Sequence, residues 1–412
     1  MTAGGGPRDF AWLSVGAAFL FTSYFMTTTL APLLAVALGA PPALLGTVVA
    51  ATFVLPLLLA IPTGGLVDAV GGRPLALVGT GVLVAAPVWV ALDASIAALF
   101  ALQILTGVGQ LLGVVAAQSL VAGFGSGRLR ERNYGVYGAF VSGGQLVGPV
   151  GAGLLLDLTG FTVAFVVASL VAGLGVVAFA AVRPPARTAA PDAPAAPGDG
   201  ATPPAAPAPW RARLRHAAGA VPRGVARVGG LLRLASVRTS LWVSGTVMVV
   251  MIAHNSFLPA YLEGLAVPAT LIGGVVSLRS LVAVAVRPFM ARIVAAFGGR
   301  IPTFLATLTL AALGTAGLAT GATLALQALA AVALGVAVGV AQPLTMASMV
   351  EEVPSERHGF ALGTRITANR FAQVVAPLAL GAMAQALGYA ATFLLTAGFL
   401  VAMTVGLLRV RR

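Results

Sequence analysis

Twelve apolar stretches run the length of this chain, and each is about long enough to cross a membrane. A helix needs roughly 17–25 apolar residues for that crossing. The stretches fall at about 10–38, 43–67, 74–92, 96–121, 134–156, 161–182, 240–262, 269–289, 301–319, 324–349, 359–386 and 389–408. Of the 412 residues 59% are hydrophobic and only 8% are charged, too few charges to clothe a water-facing surface of this size. The expected class is therefore an all-α membrane protein with twelve transmembrane helices. Cysteine is absent, so neither a disulfide framework nor a Cys-held metal is available. The opening MTAGGGPRDF is too short and polar for a cleavable signal, so the first apolar helix is expected to stay.

The charges set an orientation. All 24 basic residues are arginine. With the N-terminus in the cytoplasm, the inner segments hold Arg8, Arg73, Arg128, Arg130, Arg132, Arg292, Arg300, Arg357, Arg409, Arg411, Arg412 and the linker arginines. The outer loops hold only acids: Asp93, Asp157 and Glu263. That distribution obeys the positive-inside rule and puts both termini in the cytoplasm. It also accounts for the net charge of +13 as a topology signal, so no nucleic-acid partner is expected. The heavy use of Ala, Gly, Val, Pro and Arg suggests a GC-rich bacterium and hence its inner membrane.

The chain divides into a first half, 1–182, a linker, 183–238, and a second half, 239–412. The linker starts Ala/Pro-rich and flexible and ends, from Trp210 to Arg238, with arginines among apolar residues. That second part reads as an interfacial segment on the anionic cytoplasmic leaflet, or as a solvated basic loop that enforces topology. The halves align with each other at an offset of 227, then 228. Pro32 falls on Pro259, Gly46 on Gly273, Gly71 to Arg73 on Gly298 to Arg300, Gly107 on Gly335, Gly135 on Gly363, Pro149 on Pro377 and Gly153 on Gly381. Each half holds an even number of spans, so the two six-helix repeats run parallel, with a site expected between them near the midplane.

Two motifs carry a resemblance. Between the second and third spans stands GGLVDAVGGR, residues 64–73. It resembles the cytoplasmic loop motif of the major facilitator superfamily, with Gly64, Asp68, Gly71 and Arg73 matching and Ala69 and Gly72 replacing basic positions. Gly64 would allow close helix packing, Gly71 a tight turn, and Asp68 a contact with a helix N-terminus worth about 0.3–1 kcal/mol. The resemblance implies that this contact, with the eleventh helix, closes the cytoplasmic side. The second copy keeps Gly298 and Arg300 but has Ala295 in place of the Asp. In the fifth span, GVYGAFVSGGQLVGPVGAG is similar to the motif of the superfamily's exporters, through Gly135, Gly144, Gly148, Pro149 and Gly153. Small residues permit close helix approach and Pro149 removes a backbone donor.

The resemblance implies a major facilitator fold and alternating-access transport, with efflux of a drug or metabolite as the exporter motif's meaning. Proton antiport is implied less firmly. Those exporters carry an Arg four residues before a Gly in the fourth helix, where this chain has Gln103 before Gly107.

The polar inventory of the spans supplies candidate cavity residues: Tyr24, Thr27, Thr28, Gln103, Gln110, His254, Asn255, Arg279, Gln342, Asn369 and Arg370. Every acid lies at or beyond a helix end, yet Arg279 and Arg370 sit in mid-span, with Arg365 nearer the cytoplasm. A mid-bilayer charge costs roughly 2.5–3.5 kcal/mol, so these arginines should face a wet cavity or bond helix partners. A substrate with a carboxylate, phosphate or enolate would suit them. His254 is the candidate for proton coupling. The parts of an enzyme are missing: there are three His, no paired intramembrane carboxylates and no phosphate-binding Gly-Lys loop. No cofactor or metal is expected, and a monomer in the bilayer handling a small molecule is. The rival readings are an organic-anion importer using Arg279 and Arg370, or a non-transporting sensor or a flippase on the same fold.

Overall fold

The computed structural model describes residues 5–183, 232–349, 351, 353 and 358–410. Most of the linker, with its basic segment, therefore lies outside the described residues, as do Arg357, Arg411 and Arg412. Every regular element among the described residues is a helix. In order these are α1 (Pro7–Ala37), α2 (Pro42–Val70), α3 (Gly72–Leu92), α4 (Ile96–Gly123), α5 (127–159), α6 (161–181), α7 (Ala235–Glu263), α8 (Ala269–Ala296), α9 (Arg300–Thr320), α10 (Leu324–Met349), α11 (His358–Leu387) and α12 (Tyr389–Val410).

The fifth and sixth spans join without a loop. Hydrogen bonding is nearly continuous from Gly127 to Ala181, 55 residues, a length that as one straight helix would be far longer than a bilayer is thick. Gly160 breaks it with φ 83° and ψ 176°, a conformation that only Gly adopts cheaply. Contacts with α1 show the reversal. Gly144 packs on Phe21 and Gly148 on Phe25, so α5 climbs beside α1; Gly175 meets Phe19 and Gly16 meets Phe179, so α6 descends.

Two other irregularities matter. In α7 the residues Ala253–Phe257 form a π-helical turn, which places the His254–Asn255 pair on a locally widened helix. In α8 a short 3-10 turn at Arg287–Phe289 follows from Pro288, which has no N–H to give. The interior is built from Leu, Val, Ala and Phe of all the helices, with Phe165, Phe257, Phe304 and Phe393 fully enclosed. A second cluster around Leu13, Leu75, Ala116 and Phe179 binds α1, α3, α4 and α6.

The two ends of the bundle differ chemically. One carries Arg8, Arg73, Arg128, Arg130, Arg132 and Arg300 and is called the basic face below. The other carries Asp93, Asp157 and Glu263 and is the acidic face.

Candidate functional site

Two seams join the first six helices to the last six, and both rest on glycine and proline. At the first, α5 meets α8. A Cβ placed on Gly273 would lie 2.1 Å from the Pro149 carbonyl oxygen, and one on Gly153 would lie 2.1 Å from that of Ala269. At the second, α11 meets α2. A Cβ on Gly46 would lie 2.4 Å from the Pro377 oxygen, and one on Gly381 would lie 2.7 Å from that of Pro42. Any side chain larger than hydrogen would part the backbones at these four points. The four glycines and two prolines are the ones the internal repeat pairs with each other.

The first seam is also hydrogen-bonded. The Asp157 carboxylate accepts from the Ala269 N–H at 2.9 Å, the Thr270 N–H at 2.7 Å and the Thr270 hydroxyl at 2.6 Å. It caps the start of α8, where exposed N–H groups and the helix dipole favour an anion. The Ser277 hydroxyl donates to the Leu146 carbonyl at 2.7 Å, deeper in the same seam. The sequence had used Asp157 only as a mark of topology.

Four glycines nearer the basic face make no such close contact. A Cβ on Gly64, Gly135, Gly138 or Gly363 would meet nothing within 4 Å. Gly64 and Gly135, expected as packing positions, have open space where a side chain would start. Gly71 takes φ 99° at the α2–α3 turn, and Gly298 takes φ 75° at the α8–α9 turn. Arg73 donates to the Ala180 carbonyl at the end of α6, and Arg300 pairs with Glu351. Both bonds stay within one half, a different use from the inter-half gate expected of this motif. The Asp68 side chain lies outside the described residues.

Polar side chains of α7, α8, α10 and α11 meet one another, and Tyr24 of α1 lies near Arg370. Arg279 is buried to 3% exposure, not set in open water. Its Nη2 donates to Asn255 Oδ1 at 3.2 Å and to Ser280 Oγ at 3.1 Å, while its Nε has no partner. His254 is fully enclosed, with Nδ1 3.5 Å from Asn255 Oδ1 and Nε2 unpartnered.

Arg365, placed by its sequence position near the inner surface, is instead buried. Its Nη1 donates to Ser244 Oγ at 3.2 Å and Thr345 Oγ1 at 3.1 Å. The Ser244 hydroxyl in turn donates to Asn369 Oδ1 at 2.6 Å. Arg370 is partly exposed; its Nη1 donates to Gln373 Oε1 at 3.3 Å, and it lies within electrostatic reach of Tyr24 on α1. That pair spans the two halves.

The remaining candidates are less engaged. Gln342 donates to the Met251 sulfur at 3.4 Å. Thr27 is buried with an unpartnered hydroxyl, and Thr28 bonds back to the Phe25 carbonyl. Gln103 is enclosed with its Oε1 unpartnered, whereas Gln110 is partly exposed. Among the described residues no three of His, Asp or Glu gather as a metal site would need. Ser244, Ser280, Thr345 and Met251 were missed as partners; Ser280 adjoins Arg279, and Thr345 and Met251 lie within one helical turn of Gln342 and His254, but no chosen residue lies near Ser244 in the sequence.

Comparison with known proteins agrees with this architecture. The family described as Major Facilitator Superfamily matches residues 13–265 and 241–412. No curated protein matches the chain. Among solved structures, the nucleoside transporter NupG, in a mutant form, superposes with a TM-score of 0.76 at 14% identity, over 98% of this chain and 100% of that one. A POT family transporter in complex with 5-aminolevulinic acid gives 0.74 at 14% identity, over 98% and 96%. A peptide transporter POT mutant in complex with alafosfalin gives 0.70 at 16% identity, over 98% and 94%. At such identities the likeness speaks for the fold alone. With the family's sequence pattern running through both repeats and its fold spanning the whole bundle, the chain belongs to the major facilitator superfamily.

Proposed function

We propose that the protein is a secondary transporter that exports a drug-like compound or metabolite from the cytoplasm of a bacterium across its inner membrane. The basic face is cytoplasmic on this reading, as the positive-inside rule requires. The observation that carries it is where the exporter-type motif lies. Gly144 and Gly148 seat α5 against α1, and Pro149 and Gly153 seat it against α8. One motif therefore builds the seam that joins the halves towards the acidic face, and on this reading the basic face is the open one. Substrate would enter the central cavity from the basic face. Rocking of the halves would then part the Asp157 cap and the glycine contacts and release substrate on the acidic side.

Whole-cell accumulation of a panel of labelled compounds tests this. Cells lacking the protein should retain more of at least one compound than cells producing it. Equal retention of every compound would sink the export reading. The rival direction, uptake of an organic anion, is separated by comparing right-side-out with inverted vesicles.

A further inference from the structure

We infer that the arginines turn the amides of α7 and α11 so that they present donors to the cavity, and that the transported molecule is therefore an organic anion bearing a carboxylate or phosphate group. The inference rests on the transporter reading, but it concerns what the cavity binds rather than which way it carries.

The reasoning starts from what each group can give. An arginine only donates hydrogen bonds; it has no acceptor. A side-chain amide has one oxygen that accepts and one NH2 that donates. Any amide facing an arginine must turn its oxygen to it, so its NH2 points away.

The structure repeats that arrangement three times. Arg279 takes the oxygen of Asn255. Arg370 takes the oxygen of Gln373. The third case runs through a relay. Arg365 donates to Ser244 Oγ, so the Ser244 proton is free to go onward, and it goes to the oxygen of Asn369. The direction of that relay follows from Arg365 having nothing but donors.

Asn255, Asn369 and Gln373 are each partly exposed, so the NH2 groups freed in this way are not sealed in the core. Asn369 and Gln373 are four residues apart on α11, one helical turn, with Arg370 between them. Their NH2 groups and the remaining N–H groups of Arg370 form a cluster of donors about a turn long. A carboxylate or phosphate, with several acceptor oxygens, matches that cluster.

Charge points the same way. Arg279, Arg365 and Arg370 lie in the spans of one half, and every Asp and Glu of the chain lies at or beyond a helix end. The one ion pair among the described residues, Arg300 with Glu351, is at the basic face. Among the described residues the arginines of the cavity are thus paired with no carboxylate. A neutral or cationic substrate would leave the donors unmatched and the charge uncompensated, and both are costly away from water.

The test uses the purified full chain in detergent, with three probes of one shape: benzoate, phenyl phosphate and the neutral benzamide. The readout is the shift in thermal unfolding midpoint at equal probe concentration. The expected result is a rise of several degrees with at least one anion and none with benzamide. Arg370→Gln should abolish the rise, and Arg370→Lys should keep part of it. Asn369→Asp, which adds an acceptor and a negative charge beside the arginines, should abolish the rise while leaving the unliganded midpoint unchanged or higher. That second variant guards against simple misfolding of the first. Equal stabilisation by benzamide overturns the inference, as does a lack of response to both anions. A response retained in Arg370→Gln and Asn369→Asp overturns it too. None of these results bears on export, which the accumulation assay reads separately.

Discussion

The seam between α5 and α8 and the seam between α2 and α11 are repeat-related, yet only one is fastened. Both are closed by glycine against a carbonyl of the opposite helix. At the first, Asp157 adds three hydrogen bonds to the start of α8 and Ser277 adds one more. At the second, the repeat puts Gln385 where Asp157 stands, Pro42 where Ala269 stands, and Ala50 where Ser277 stands. Pro42 has no N–H, so a carboxylate at position 385 would lack one of the two backbone donors that Asp157 finds, with only that of Ala43 left. The packing code was kept in both copies while the polar code survives in one. Closure of the acidic face is thus shared between the seams, but its adjustable part belongs to α5 and α8.

Substitution at the glycines should have the largest effect. Gly273→Val and Gly46→Val each force a side chain into space under 2.5 Å from a carbonyl. Each should lower transport in vesicles about a hundredfold while leaving the protein folded. A large loss at one seam with normal transport at the other would mean that the seams are not equivalent in closure.

Asp157→Asn comes next. The cap is exposed, which trims its worth to about 1–2 kcal/mol, the range of helix caps. That corresponds to a shift of roughly 5–30-fold towards the state open at the acidic face. Spin labels at Leu158→Cys and Leu265→Cys, exposed positions on opposite halves of that face, would read it as a growing long-distance population. An unchanged distance distribution would remove Asp157 from the closing device.

Sharper still is the attempt to build the missing fastener. Gln385→Asp alone has only the Ala43 N–H to meet and should gain less than Gln385→Asp with Pro42→Ala, which should favour the closed face by about 1 kcal/mol, or about fivefold. A gain from Gln385→Asp alone equal to that of the double variant would show that the absent N–H is not what separates the two seams. The smallest effect is expected of Ser277→Ala. It removes one hydroxyl bond whose net worth is about 1 kcal/mol or less, and leaves its acceptor, a helix carbonyl, otherwise paired. Spin-label distances should move by less than for Asp157→Asn.

The fold was largely legible in the sequence because apolar run length, the even span count and the register of Gly46, Gly273, Gly153 and Gly381 are local or periodic signals. The join of α5 to α6 through Gly160 was not, since a one-residue break looks like a short loop on paper. The site was read less fully. The Asp157 cap joins residues more than a hundred positions apart, and Ala269 and Thr270 contribute backbone N–H groups that no residue type announces. Arg365 was placed near the surface from its distance to the helix start, and Ser244 and Thr345 from two other helices hold it inside. The facing of the amides could not be deduced before their arginine partners were known.

The glycine seams have one more consequence. Where backbone lies on backbone, no flexible side chain stands between the halves to stretch as they part. A gap of 0.5–1 Å already forfeits a quarter to a half of such contact energy. The seams therefore behave as a bolt and not as a spring: the acidic face is either shut or released, with little to hold it half-way.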